Sequence, residues 1–431
     1  MSEGWQSVLL GEVCAINPDR VDRGQPNGLI RYIDISSVGI GHLTAEPQQI
    51  RLADAPSRAQ RLVRHGDTIL STVRPVRRSM LRVSKSLDGC VASTGFAVLR
   101  ADPHQLEPGF LWAIVSQQSF TNYLVTREEG AAYPAVSANA ILEFEINLPP
   151  IREQRAIAST IEAIDRKLEL NRQTNETLEA MARALFKDWF VDFGPTRAKM
   201  EGSEPYLAPD LWALFPDRLD EATGLPEGWI TSAIGDEVRV VGGSTPSTKE
   251  PAFWDGQIHW ATPKDLSKLT SPILLQTERK ITEAGLGKIS SGLLPVGAVL
   301  LSSRAPIGYL AISQVPVAIN QGFIAMICEG CVSNVFVWLW TLENMDAILS
   351  KANGSTFQEI SKTNFRPLPV HLPRNDLLGA FDANVMPIYQ QIVQNEQETR
   401  TLSVTRDLLL PKLMSGEIIL RDAEKIAGEA L

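Results

Sequence analysis

At roughly 100–200 residues per domain, a chain of 431 residues calls for roughly two to four folded units and excludes a single small module. A hydrophobic share of 44% with 21% charged residues excludes a disordered chain, and the lack of any run of about 18 apolar residues excludes a membrane-spanning helix. The net charge of −9 argues against a nucleic-acid partner unless basic residues are concentrated locally, because such binding rests on neutralising phosphates with Lys and Arg.

The N-terminus, MSEGWQSVLLGEV, lacks a basic region followed by an apolar run, so no leader is expected. Four cysteines, at 14, 90, 328 and 331, are too few for a disulfide framework and fit a reducing cytoplasm. Residues 1–150 read as a mixed α and β block, with strand candidates LIRYIDI (29–35), DTILSTV (67–73) and VASTGFAVLR (91–100) and a helix over GFLWAIVSQQSFTNYLVT (109–126). Within it, residues 51–82 carry Arg51, Arg58, Arg61, Arg64, Arg74, Arg77, Arg78 and Arg82 against only Asp54 and Asp67. That stretch either faces phosphate or forms a solvated basic surface. Residues 151–193 read as one long helix, and 194–223, dense in Pro, Gly and acids, as a connector. Residues 224–373 form a second mixed block with strands AVLLSSR (298–304), YLAISQV (309–315) and FIAMIC (323–328) and a helix over VFVWLWTLENMDAILSKA (335–352); residues 374–431 complete the chain as a helix and tail. The acidic excess falls mainly in 151–223 and 374–431.

The chain is written twice. Trp5 and Trp229 open similar segments 224 residues apart, and GAAYPAVSANAILEFEINLP (130–149) matches GSTFQEISKTNFRPLPVHLP (354–373) at the same offset. Between them the register drifts: GDTILSTVRP (66–75) resembles GAVLLSSRAP (297–306), and VASTGFAVL (91–99) resembles VAINQGFIAMI (317–327). Insertions in loops account for such drift. After each closing Leu-Pro the pattern turns helical. Ile157, Ile161, Ile164, Leu168, Asn171, Asn175, Leu178, Ala182, Leu185 and Trp189 alternate steps of four and three, the spacing of a coiled-coil seam. The same offset gives Phe381, Val385, Ile388, Ile392, Asn395, Thr399, Leu402, Arg406, Leu409 and Leu413. Asn171 and Asn395 fall in one middle layer, either a shared hydrogen-bonded layer that fixes register or an exposed one. Pro387 predicts a kink or a fresh helix start, and Pro411 an end or bend.

Four strings, LPPIREQRAIA (148–158), ALFKDWFVDF (184–193), GLPEGW (224–229) and LLLPKLMSGEI (409–419), sit at corresponding ends of the duplication. Together they make the chain resemble the specificity subunits of type I restriction-modification systems. The resemblance implies an α+β protein: two mixed α/β target-recognition domains joined by two long antiparallel coiled-coil helices in an internal pseudo-twofold repeat. It further implies a non-catalytic subunit that reads a bipartite site in double-stranded DNA, one half per domain. The implied partners are two methyltransferase subunits and motor-nuclease restriction subunits, which would carry S-adenosylmethionine, ATP and Mg²⁺; this subunit would carry no cofactor. The second copy departs from the usual pattern, having LPRNDLLGAF (372–381) where the first has LPPIREQRAIA. Two alternatives stay open, a duplicated coiled-coil scaffold that does not bind DNA and a system whose methyltransferase and nuclease are fused in one partner.

No catalytic constellation is recognisable. Asn147-Leu148-Pro149-Pro150-Ile151 lacks the aromatic of an amino-methyltransferase loop, and AGLGKIS (284–290) places Ile289 where a phosphate loop needs Ser or Thr. Cys328 and Cys331 have the spacing of half a zinc site without a second pair, so no metal is expected. Asp19 and Asp217 read as acids of solvated loops. Since Arg reads guanine edges, Asn and Gln read adenine, and Ser and Thr serve either base or phosphate, the DNA-contact candidates are the loops after the matched strands. These are Ser71, Thr72, Arg74, Arg77 and Arg78 in the first block and Ser302, Ser303 and Arg304 in the second, with Lys264, Asn320 and Gln321 beside them.

Overall fold

The computed structural model describes residues 4–22, 24, 28–130, 134–354 and 358–418; of the helix and tail expected over 374–431, residues 419–431 lie outside them. The chain divides into two compact units, Met1–Leu170 with Glu398–Leu431, and Asn171–Gln397. Each therefore owns half of each long helix.

In the first unit, Cys14–Ile16, Phe96–Ala101, Thr68–Ser71 and Met80–Arg82 form, in that order, an antiparallel sheet. A second sheet orders Gln48–Arg51, Leu29–Ile33, Val91–Ser93 and Ala59–Leu62, with its central pair parallel. Successive side chains of a strand point to opposite faces, and here both faces are covered. Ile69 and Val98 join Ile33, Ala92 and Leu81 in one buried cluster, while Leu70, Ala97 and Leu99 face Phe110, Leu111 and Ile114 in another. That is why TILS and FAVLRA read as continuous apolar runs. The run VASTGFAVLR is two strands in two sheets, broken at Thr94–Gly95, where a Cβ on Gly95 would stand 2.6 Å from Ile35 Cδ1. The single helix expected over 109–126 is also two, Pro108–Val115 and Gln118–Val125. Gln6–Leu9 pairs antiparallel with Glu145–Leu148, joining the start of the domain to its end.

The second unit repeats this order. Arg239–Val241, Phe323–Ile327, Val299–Ser303, Ile307–Ser313 and Ile273–Leu274 form one sheet; Arg279–Ile281, Trp254–Ala261 and Val317–Ile319 form the other, again with one parallel pair. Ile230–Ala233 closes against Pro369–Leu372. The expected helix over 335–352 divides at Asn344 into Asn334–Glu343 and Met345–Ser350. The segment read as a connector is packed: it forms helices Gly194–Met200 and Pro209–Leu214, and Phe215 lies edge-on to Trp189 with ring centroids 5.0 Å apart.

The long helices span Ile151–Phe190 and Asn375–Ser415. Within each unit their halves run antiparallel. In the first, Lys167 pairs with Glu398 at 3.0 Å and Asp165 with Arg406 at 3.1 Å. Ile157, Ile161, Ile164, Leu402 and Leu409 are buried together with Phe110 and Ile114, and Leu168 packs at their edge. In the second, Val385, Ile392, Phe186 and Trp189 are buried with Leu178, Leu185 and Ile388 packed against them. The apolar stripe thus covers a domain as well as the partner helix. Asn171, Asn175 and Asn395 are buried; Asn395 Nδ2 donates to Asn175 Oδ1 at 2.8 Å and Asn175 Nδ2 to Glu396 Oε1 at 3.0 Å. The helix runs on through Pro387 and Pro411, so of the alternatives read from the sequence the fresh start and the end do not occur. Pro387 and Ala383 both lie on the exposed face, where solvent can reach the carbonyl that the missing N–H leaves unbonded.

Candidate nucleic-acid interface

The first domain presents its basic residues from the loop after Thr68–Ser71. Arg74 and Arg78 both adopt left-handed backbone conformations, φ 50° and 56°, around a short 3₁₀ turn, Pro75–Arg77. Two backbone bonds pin the loop: Arg74 N–H donates to the Pro134 carbonyl and Val136 N–H to that of Thr72, each at 2.8 Å. Arg78 fastens it from below, donating to Gln118 Oε1 at 3.1 Å and to the Ser116 carbonyl. Burial lowers the pKa of this guanidinium. Arg78 therefore shapes the loop and does not face outward. Ser71 is likewise withdrawn, buried with its hydroxyl donated to the Val73 carbonyl at 2.8 Å, and Thr72 Oγ1 donates to the Gly95 carbonyl at 3.0 Å. Arg74 and Arg77 remain: their guanidinium groups have no partner among the described residues, and Arg77 is exposed.

The rest of the arginine-rich stretch is mostly structural. Arg58 pairs with Asp34 at 2.9 Å, Arg64 lies 3.8 Å from Asp19, and Arg82 lies 3.3 Å from Glu162. Asp19, expected to be a loop acid, holds Arg100 at 2.8 Å, and that hydrogen bond lowers its pKa. Arg100 also grips the buried Asp67 at 2.7 Å.

In the second domain Ser302 and Ser303 are buried. Ser302 Oγ donates to the Pro306 carbonyl and accepts from Tyr309 N–H, both at 2.8 Å, so it holds the turn and presents nothing outward. Arg304 extends into the corner, 3.8 Å from Glu359. Lys264 is exposed but shares Glu278 with Lys268, at 3.0 and 2.7 Å; hydrogen bonds from Lys268 and then Lys264 hold that carboxyl down at about 2. Its charge is compensated on the spot. Asn320 Oδ1 accepts from Gly322 N–H at 2.9 Å, while Gln321 is exposed.

Family comparison decides what these corners belong to. The family model described as the type I restriction modification DNA specificity domain matches residues 2–180 and 226–376, one match per domain. The chain belongs to this family. The HindI specificity subunit of Haemophilus influenzae is 25% identical over 96% of this chain and 99% of its own length. The MjaIX specificity subunit of Methanocaldococcus jannaschii is 35% identical over 40% of each chain. The crystal structure of a type I restriction-modification S subunit from M. genitalium covers 95% of this chain and 96% of its own, with a TM-score of 0.53 at 14% identity, a likeness of fold.

Both specificity domains thus offer a corner at the same place, the loop that follows the central strand Thr68–Ser71 in one and Val299–Ser303 in the other. Sequence reading missed part of the second corner. Residues 242–245 lie beside Asn320 and Gln321, and Arg279 stacks over Trp254 with its guanidinium carbon 3.5 Å from the ring centroid. Only Trp254 and Trp260, over both of which Arg279 lies, could have flagged that region. Of the residues weighed for chemistry, Asn147 and Leu148 end a strand of the specificity domain, and Ile151 starts the long helix. Burial pushes the Cys328 thiol up to about 12, and burial followed by Glu237 raises that of Cys331. Among the described residues no group of three or more His, Cys, Asp or Glu side chains could hold a metal ion, and no helix is long and apolar enough to cross a membrane.

Proposed function

We propose that this chain is the DNA sequence-recognition subunit of a type I restriction-modification complex, reading a bipartite site in double-stranded DNA with one half assigned to each specificity domain. The observation that carries the reading is the match of one DNA specificity family to both halves of a duplicated chain. The subunit has no catalytic role of its own. It assembles two methyltransferase subunits and the motor-nuclease subunits in the cytoplasm, and S-adenosylmethionine, ATP and Mg²⁺ serve those partners. Within each domain, phosphate contacts position the protein and base contacts specify the sequence. Arg74 and Arg77, uncompensated and held on a pinned loop, serve the first domain; Arg304, Asn320 and Gln321 serve the second. Lys264 is a weaker contributor because Glu278 already neutralises it. Helix length between the domains sets the unread spacer, as half-site separation follows from protein geometry in other paired readers.

Genome-wide mapping of methylated adenines, with and without the gene, tests the proposal. The expected result is a two-part motif that disappears on deletion and returns on complementation. A methylome identical in both strains rejects it.

A further inference from the structure

Gln321 lies in the turn between Val317–Ile319 and Phe323–Ile327, where the chain crosses from one sheet of the second domain to the other. The turn is fixed by backbone bonds: Asn320 N–H donates to the Ala261 carbonyl at 3.1 Å and Ser303 N–H to that of Gly322 at 2.8 Å. Residues 242–245 run against it as a strap. A Cβ on Gly243 would come within 1.8 Å of the Ile319 carbonyl oxygen, so only glycine permits this approach. Ser244 anchors the strap on three sides, through its N–H to Ile319, its hydroxyl to the Lys288 carbonyl at 3.0 Å, and its carbonyl from the Trp260 indole at 3.3 Å. Thr245 is therefore a fixed point, and its hydroxyl donates to Gln321 Oε1.

Both side chains are exposed. A hydrogen bond between exposed side chains adds little to stability, and locking a glutamine costs rotamer entropy, so folding alone does not account for the pairing. What it produces is an amide of set orientation. With Oε1 held by Thr245, the Nε2 donor has no other partner among the described residues. Donor and remaining oxygen lone pair stand side by side, the complement of the N7 acceptor and N6 donor of adenine in the major groove. The first domain has only Thr94–Gly95 at the corresponding turn, without an amide.

Resting on the DNA-reading role proposed above, we infer that Gln321 reads an adenine in the half-site of the second domain and that Thr245 is its positioning residue. Methylated adenines are mapped in cells carrying the full chain with its partner subunits, as wild type, Gln321→Ala, Gln321→Glu, Thr245→Val and Thr245→Ser. The complexes are then titrated with duplex oligonucleotides bearing the wild-type motif or single base-pair changes. Gln321→Ala relaxes one A·T position in one half-site, its preference falling roughly 5- to 150-fold. Gln321→Glu, with two acceptors, disfavours that adenine; Thr245→Val relaxes the same position less, and Thr245→Ser, keeping the hydroxyl, restores it. An unchanged motif and unchanged affinity ratios in Gln321→Ala overturn the assignment, as does a change spread over both half-sites. A wild-type chain that yields no bipartite motif instead defeats the DNA-reading role itself, and it does so without any substitution.

Discussion

Among the described residues, one carboxyl oxygen of Glu179, enclosed in the helix pair of the second unit, has no hydrogen-bond partner. Burial, then the nearby Glu396 and Glu176, push its pKa up to about 7 against a partial offset from Arg183, and burial also raises that of Glu396. The folded state therefore favours the protonated acid. Stability from this site is fully present below the ordinary value of 4.5 and is lost as pH rises through about 7. Glu179→Gln should raise the melting temperature at pH 8 by roughly a few degrees and leave it unchanged at pH 4; equal shifts at both pH values would show that the charge is not at issue. Arg74 and Arg77 have no carboxylate partner among the described residues. Replacing both with Ala should weaken DNA binding by the assembled complex and reduce the salt dependence of log K by roughly 2, whereas an unchanged slope removes them from the phosphate interface. Which arginines stay free was not legible in the sequence, because Asp34, Asp19 and Glu162 meet Arg58, Arg64 and Arg82 only through tertiary folding.

Among the elements, the second long helix contains a weak point that its packing tolerates. Pro387 interrupts the hydrogen-bond ladder of Asn375–Ser415, yet Val385 and Ile392 on the buried face keep the helix in place. Pro387→Ala should then stabilise the protein by about 1–3 kcal/mol, seen as a higher urea midpoint with an unchanged slope. A neutral or destabilising result would mean that the local backbone has adapted to proline. The helical periodicity was readable because seam positions repeat over many turns, and the strands were readable as apolar runs. The interruptions were not. Ser116 and Asn344 divide what reads as one helix in each domain, and Thr94–Gly95 changes sheets within what reads as one strand. Nor could the connector be seen to fold, since Phe215 is buried against Trp189, twenty-six positions back along the chain, and no local periodicity announces it.

At the scale of the molecule, duplication was the most legible property, because a shared offset of 224 residues survives in the helix boundaries while the loops drift. The corners proposed to meet DNA were least legible for the same physical reason: loop residues are free to vary where the scaffold is not. Thr245 and Gln321 meet across 76 positions, and nothing in either segment alone points to the other. The closing pairs of strands carry a final implication. Gln6–Leu9 lies against Glu145–Leu148, and Ile230–Ala233 against Pro369–Leu372, so each domain begins and ends at one pair of strands. A body closed at one neck can be exchanged for a foreign counterpart without recutting the helices, so, on the DNA-reading role proposed above, one recombination between necks would rewrite half of the recognised site.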